Sequence, residues 1–278
     1  MTDKGYANPD LLWSPTDLLR RLGNPNLRIV DTRPGEDYAA GHISGAIHFD
    51  LYGISLNDTS PAPLEAFTWM WGYLLEARGI GMEHTIVFYE DTSGFKAARG
   101  FWFLEYFGHQ DVHVLDGGLR AWRAAGHPVT QDATPPKRKE FTPGRRPEKL
   151  ATYREVLDGI GKPDTVILDT RTDDEWNGKW IRAARPGAVP GAIHLEWTNN
   201  LDAGGAFKPA AELGAMYQAK GITPDKEIIP YCQGGYRSAH AYLALRLLGY
   251  PRLRNYLGSW KEWGDKTDLP IVEPWKTA

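Results

Sequence analysis

The chain carries one cysteine in 278 residues. That excludes an intrachain disulfide and any cysteine-rich metal site, and it leaves no second thiol for a CxxC redox cycle. Charge of one sign is lacking too: 32 Lys and Arg stand against 35 Asp and Glu, for a net charge of -3. Without a domain-wide basic field, nucleic acid is not an expected partner. Long apolar runs are absent, so no bilayer-spanning segment is expected, and Met1 to Asp10 has no apolar core of a signal peptide. A cytoplasmic protein is the expectation, in a compartment that keeps a lone thiol reduced.

What is present centres on that thiol. Cys232 opens Cys232-Gln233-Gly234-Gly235-Tyr236-Arg237-Ser238, with the apolar run Glu227-Ile228-Ile229-Pro230-Tyr231 before it and a helical pattern from Ala239 to Leu248 after it. The thiol therefore belongs at a strand end, on a glycine-rich loop that feeds a helix N-terminus. Backbone N–H groups converge there and the helix dipole favours an anion, so the cysteine is expected to ionise below its ordinary range. A buried, inert cysteine is the commoner fate of a free thiol, but it has no need of a glycine pair and a helix start beside it.

The second feature is internal repetition. Arg28-Ile29-Val30-Asp31-Thr32-Arg33 recurs as Val166-Ile167-Leu168-Asp169-Thr170-Arg171. Gly41-His42-Ile43-Ser44-Gly45-Ala46-Ile47-His48 recurs as Gly187-Ala188-Val189-Pro190-Gly191-Ala192-Ile193-His194. Thr85 to Tyr89 recurs as Glu227 to Tyr231, and Leu115 to Trp122 as Tyr256 to Trp263. The order is kept throughout and the period is too long for a solenoid, so this is a duplicated domain. In each copy short apolar strands (at Ile29, Ile86, Ile167 and Ile228) alternate with helical patterns at Leu11–Leu22, Ala97–Phe107, Ala151–Ile160 and Ala239–Leu248. The fold class is α/β, two tandem domains each with a mostly parallel sheet flanked by helices. Their expected extents are 1–130 and 148–278, joined by an exposed linker, 131–147, within the proline-rich and basic stretch from Gly126 to Glu148.

Aligning the copies sets Glu90 opposite Cys232, so only the second copy has a nucleophile. Asp-Thr-Arg at both strand ends, Gly-x-x-x-Gly-Ala-Ile in both copies, Leu115-Asp116-Gly117-Gly118 and the Cys232 loop together resemble the rhodanese family, over nearly the whole chain. Within it the chain is similar to tandem-domain thiosulfate sulfurtransferases of the bacterial type. The resemblance implies a non-catalytic first domain, a catalytic second domain and a persulfide carried on Cys232.

Four residues separate Cys232 from Arg237, a C-x4-R loop. Cysteine phosphatases of related kinds use C-x5-R, a wider cradle for a tetrahedral phosphate, so the count favours sulfur transfer. The expected chemistry is covalent: Cys232 takes the outer sulfur of thiosulfate, loop N–H groups from Gln233 through Gly234, Gly235, Tyr236 and Arg237 to Ser238 hold it, and cyanide or a thiol removes it. No cofactor and no metal is expected. Arg237 has two candidate roles, binding the anionic donor or pairing with a strand-end carboxylate such as Asp169. Lys179, Arg182 and Arg185 are candidates for donor binding, and Trp176, Trp180 and Trp197 for shielding the site or for packing. Asp31–Arg33, Asp169–Arg171, His48 and His194 are shared with the silent copy and are read as structural.

The loop departs from the family's C-R-K-G and C-G-S-G types. Glu175 stands near where mercaptopyruvate enzymes place an arginine, and as a carboxylate it would repel that substrate. Pro230 in a central strand and Leu257 in place of the usual Asp are further departures. A 3-mercaptopyruvate sulfurtransferase, and a persulfide carrier or binding module without turnover, stand as alternatives. No oligomerisation element is visible, and a monomer is expected.

Overall fold

The computed structural model describes residues 3–276. Residues 1, 2, 277 and 278, at the outer ends of the two expected domains and of the stretch read for a signal peptide, lie outside the described residues. The chain divides into two compact units. The first takes the chain up to Ile54, then Ala66–Arg146 and Leu201–Lys208; the second takes Ser55–Glu65, Pro147–Asn200 and the chain from Pro209 onward. Each unit thus incorporates a short arm from the other half of the sequence.

In the first unit β1 (Leu12–Trp13), β2 (Leu27–Asp31), β3 (Ala46–His48), β4 (Thr85–Tyr89) and β5 (Val112–Leu115) form one sheet in the order β1-β5-β4-β2-β3. Every pairing in it is parallel. The stretch read as one helix from Leu11 to Leu22 is instead β1 followed by a short helix, Pro15–Leu19. Ser14 explains the break: its side chain caps the helix at Asp17 N–H (3.0 Å) while Asp17 reaches back to Ser14 N–H (3.2 Å).

The second unit repeats this plan with β6 (Leu150–Ala151), β7 (Thr165–Asp169), β8 (Ile193–His194), β9 (Glu227–Tyr231) and β10 (Asn255–Tyr256). Here the sheet is split, among the described residues, into β8-β7-β9 and β10-β6, linked by a parallel bridge between Ile228 and Leu253. Pro230 is the physical cause. Ile228 N–H bonds the Arg252 carbonyl at 2.9 Å, so the next N–H on that side would belong to residue 230, and proline has none. The first unit has Phe88 at this position and its ladder continues to Val114.

The cores are matched pairwise. Ile29, Val87, Tyr89, Leu119 and Trp122 in one cluster correspond to Ile167, Ile229, Tyr231, Trp260 and Trp263 in the other. The two indoles even share a bond, Trp122 Nε1 to the Pro128 carbonyl (2.9 Å) and Trp263 Nε1 to the Pro270 carbonyl (2.8 Å).

The stretch expected as an exposed linker is exposed along most of its length and is anchored on the first unit at a few points. Phe141 is buried edge-on to Phe107, and the N–H groups of Gly144 and Arg146 bond the carbonyls of Phe107 and Tyr106 at 2.9 and 2.7 Å. Proline prevents a helix there, so the segment meets its backbone needs by lying along its neighbours. No helix among the described residues is long and apolar enough to cross a membrane.

Candidate active site

Cys232 follows β9 directly, at the carboxyl end of a parallel sheet, where α/β folds place their ligands. It is 1% exposed. The loop turns at Gly235, whose φ of +82° only glycine adopts freely; Gly234 needs no such conformation. Asn255 steadies the turn from β10 by donating to the Gly235 carbonyl at 3.3 Å. The next helix spans Arg237–Leu247, starting two residues before the expected Ala239. Arg237 and Ser238 therefore occupy its first turn, and the Ser238 hydroxyl lies 3.8 Å from Cys232 Sγ.

Burial alone pushes the Cys232 thiol up. The Arg237 charge and the N–H bonds from Ser238 and Gly234 outweigh it, so the thiol is held below its ordinary range. The arrangement is an anion cradle with a nucleophile in it.

Arg237 pairs with Glu175, not with Asp169. Its Nη2 donates to Glu175 Oε1 at 3.0 Å and its Nη1 donates to Oε2. Asp169 is occupied by its near neighbour Arg171 and by the Tyr231 hydroxyl (2.6 Å). The first unit repeats that arrangement with Asp31, Arg33 and Tyr89, which makes both Asp–Arg pairs internal fasteners of the strand ends.

Glu175 also accepts the Thr172 N–H and hydroxyl, both at 3.0 Å, as the capping box of its short helix. Burial raises the Glu175 carboxyl, but the bonds from Arg237 and Thr172 prevail and hold it down at about 2. Arg182 Nη1 lies 3.5 Å from the same carboxylate, and the Arg182 carbonyl accepts from Gln233 Nε2 at 2.7 Å. Two guanidiniums therefore face the Glu175 carboxylate, and its charge is offset by partners distant in sequence.

The other candidates fall away from this cluster. Lys179 is paired with Asp174 at the surface, its side chain 71% exposed. Arg185 is spent on main-chain carbonyls, among them those of Gly264, Trp263 and Leu269, at and beyond the end of the helix Ser259–Asp265. Trp176 stacks on His194, Trp197 packs edge-on to His240, and Trp180 is exposed beneath the Arg182 guanidinium. His48 bonds the Arg33 carbonyl and His194 bonds Asp173, both in structural positions.

In the first unit Glu90 occupies the cysteine's position. Its Oε1 accepts from Lys96 N–H (2.7 Å) and Ala97 N–H (3.2 Å) at the start of the helix Phe95–Tyr106. A carboxyl group of the chain thus fills the silent cradle. Burial raises this carboxyl to about 7 in spite of those bonds.

Sequence reasoning passed over Ser55, Thr59, Asn255 and Ser259. Ser55 lies 3.4 Å from the Tyr236 hydroxyl and Thr59 bonds Glu262, both from the arm Ser55–Glu65. No local pattern announces an arm that crosses between repeats. Ser259 did carry a signal, because it stands where the other copy has Gly118.

The Rhodanese-like domain family matches residues 14–125 and 152–266. The chain is 36% identical over 274 residues to a thiosulfate sulfurtransferase of Pseudomonas aeruginosa, covering 96% of this chain and 98% of that one. It is 35% identical over 266 residues to a thiosulfate sulfurtransferase of Azotobacter vinelandii, with the same coverage. It is also 35% identical to the sulfur carrier protein TtuD of Thermus thermophilus, over 97% of this chain and 99% of that protein. A similar fold occurs in the anaerobic ergothioneine biosynthesis enzyme of Chlorobium limicola, with TM-score 0.81 at 24% identity over 94% of this chain and 70% of that one.

Proposed function

The chain belongs to the rhodanese family, and on that premise we propose that it is a sulfurtransferase moving the sulfane sulfur of thiosulfate to a thiol or to cyanide through a Cys232 persulfide. The observation that carries this is the buried Cys232 Sγ, bonded by the N–H groups of Gly234 and Ser238 with the Arg237 charge beside it. Such a site stabilises one extra anionic sulfur as it stabilises the thiolate.

The first half-reaction starts from the thiolate. Cys232 Sγ attacks the outer sulfur of thiosulfate; the new S–S bond forms as the old one breaks, and the electron pair leaves with sulfite. In the second, the acceptor attacks the outer sulfur of the persulfide and the electron pair returns to Sγ, restoring the thiolate. Arg237 and Arg182, set against the single Glu175 carboxylate, offset the charge of the Cys232 thiolate that a dianionic donor must approach. The same offset would also admit 3-mercaptopyruvate, but both guanidiniums already hold Glu175, so neither is placed as a dedicated fork for a substrate carboxylate.

A second reading is favoured by the likeness to the carrier TtuD: persulfide delivery to a protein partner with little turnover on small acceptors. One experiment addresses both. Intact mass is measured under non-reducing conditions after thiosulfate or 3-mercaptopyruvate, with Cys232→Ala as control. A gain of one sulfur atom with thiosulfate, removed by cyanide and absent in the variant, is the expected result; no gain with either donor sinks sulfur transfer. Fast steady-state thiocyanate production then favours the enzyme, and stoichiometric release alone favours the carrier.

A further inference from the structure

Among the described residues Ser259 is the one non-glycine residue with positive φ, at 53°. That conformation is costly for any residue with a Cβ, and it persists only where its surroundings enforce it. The other copy holds a glycine at this position. Gly118, its repeat partner, has φ of 58°, and a Cβ there would meet the Glu90 carbonyl oxygen at 2.3 Å. The residues before them differ, Gly117 with φ of 74° and Gly258 with φ of -67°, but the bonds that anchor the two turns are alike. Leu119 N–H and Arg120 N–H bond the Glu90 and Asp91 carbonyls at 2.8 and 2.9 Å, as Trp260 N–H and Lys261 N–H bond those of Cys232 and Gln233 at 2.9 and 3.0 Å. The copy without a nucleophile uses the unstrained glycine; the copy with one carries a strained serine.

The serine side chain is fully buried and fully used. Its hydroxyl accepts the Cys232 N–H at 3.1 Å and donates to the Tyr256 carbonyl at 2.8 Å. Its place in the sheet explains why this matters. On the β10 side of β9, Ile228 N–H finds a carbonyl, Pro230 has no N–H to give, and Cys232 N–H is the next in line. The ladder that would fix the nucleophile's backbone is interrupted just before it, and the Ser259 hydroxyl stands in for the missing strand partner.

We propose that Ser259 is a positioning residue for Cys232, its hydroxyl linking the β10 backbone to the cysteine N–H so that Sγ stays within reach of the Gly234 and Ser238 N–H groups. It touches neither donor nor acceptor. Its contribution to turnover rests on the sulfurtransferase reading above; its effect on the thiol does not.

The test compares Ser259→Gly and Ser259→Ala with the parent, using full-length protein. Glycine relieves the strain but leaves the Cys232 N–H and the Tyr256 carbonyl unmet, opposing effects that should leave thermal stability little changed, while kcat for thiosulfate falls about tenfold with KM nearly unchanged. The ultraviolet absorbance of the sole thiolate, with Cys232→Ala as blank, should titrate at higher pH in both variants. Alanine keeps the strain and should lose stability as well. A Ser259→Gly protein whose thiolate titration matches the parent would overturn the proposal. The titration needs no sulfur donor, so it decides the role of Ser259 even if the parent forms no persulfide, an outcome that would instead strike the sulfurtransferase reading.

Discussion

Arg237 grips the Glu175 carboxylate with both terminal nitrogens across 62 residues of sequence, from the first turn of the helix that follows the cysteine loop. The pair joins the two segments that surround the thiol. Removing one partner of a buried ion pair strands the other, at a cost of roughly 3–5 kcal/mol. Glu175→Ala should therefore destabilise the protein by about that much in chemical denaturation. The acid limb follows from the depressed carboxyl, at about 2 against an ordinary 4.5. A group lowered on folding stabilises above its unfolded value, and that contribution is lost as pH falls toward the folded one. The parent should lose stability steeply between those values, and Glu175→Gln should flatten that limb.

Arg237 also acts on the thiol, because its charge favours the thiolate. Arg237→Lys keeps a charge but not the two-pronged fork. Arg237→Gln removes both. The thiolate absorbance should titrate at higher pH in the order parent, Lys, Gln, and thiosulfate loading at neutral pH should fall at least tenfold in the Gln variant. Identical titrations in all three would remove Arg237 from the account of the thiol.

Glu90 gives the first unit a pH dependence of opposite sign. Its carboxyl is raised on folding to about 7. The folded state then holds a proton the unfolded state releases, and stability falls as pH rises from the ordinary carboxylate value to about 7. Glu90→Gln should abolish this slope and melt higher than the parent at pH above it, with little difference in acid. A parent melting curve unchanged by the substitution across that window would contradict the assignment.

Thr59 reaches the second unit from the first half of the sequence. Its N–H bonds Glu262 at 2.6 Å, its hydroxyl donates to the same carboxylate and accepts from Tyr153 N–H at 2.9 Å, and Tyr256 completes the cluster. Thr59→Val leaves buried partners unmet, with an expected loss of about 1–3 kcal/mol. Hydrogen exchange should show the loss around Tyr256 and Glu262. Protection unchanged there would mean that the arm is dispensable.

The sequence exposed those features whose causes are local or duplicated. The repeats made the α/β plan readable, and Gly234-Gly235 after an apolar run marked the cysteine loop. The Arg237 partner of Glu175 is not legible because it is distant in sequence, although Thr172-x-x-Glu175 has capping-box spacing. The helix Pro61–Ala77 is not legible in the sequence: prolines at its start and aromatics distributed around it blur the apolar stripe. Pro230 was noticed as a departure, but that it splits the sheet depends on which side of β9 its absent N–H would face. That parity is fixed only by the three-dimensional register.

The exchanged arms bear on how the chain is made. Synthesis runs from the N-terminus, yet the first unit includes Leu201–Lys208, which leaves the ribosome only after much of the second half has been translated. Meanwhile Ser55–Glu65, already synthesised, must wait for the unit that will receive it. The first unit can thus be completed only when the second is already partly synthesised. Nascent chains arrested before Leu201 should stay protease-sensitive in their first half, and those extended past Lys208 should not.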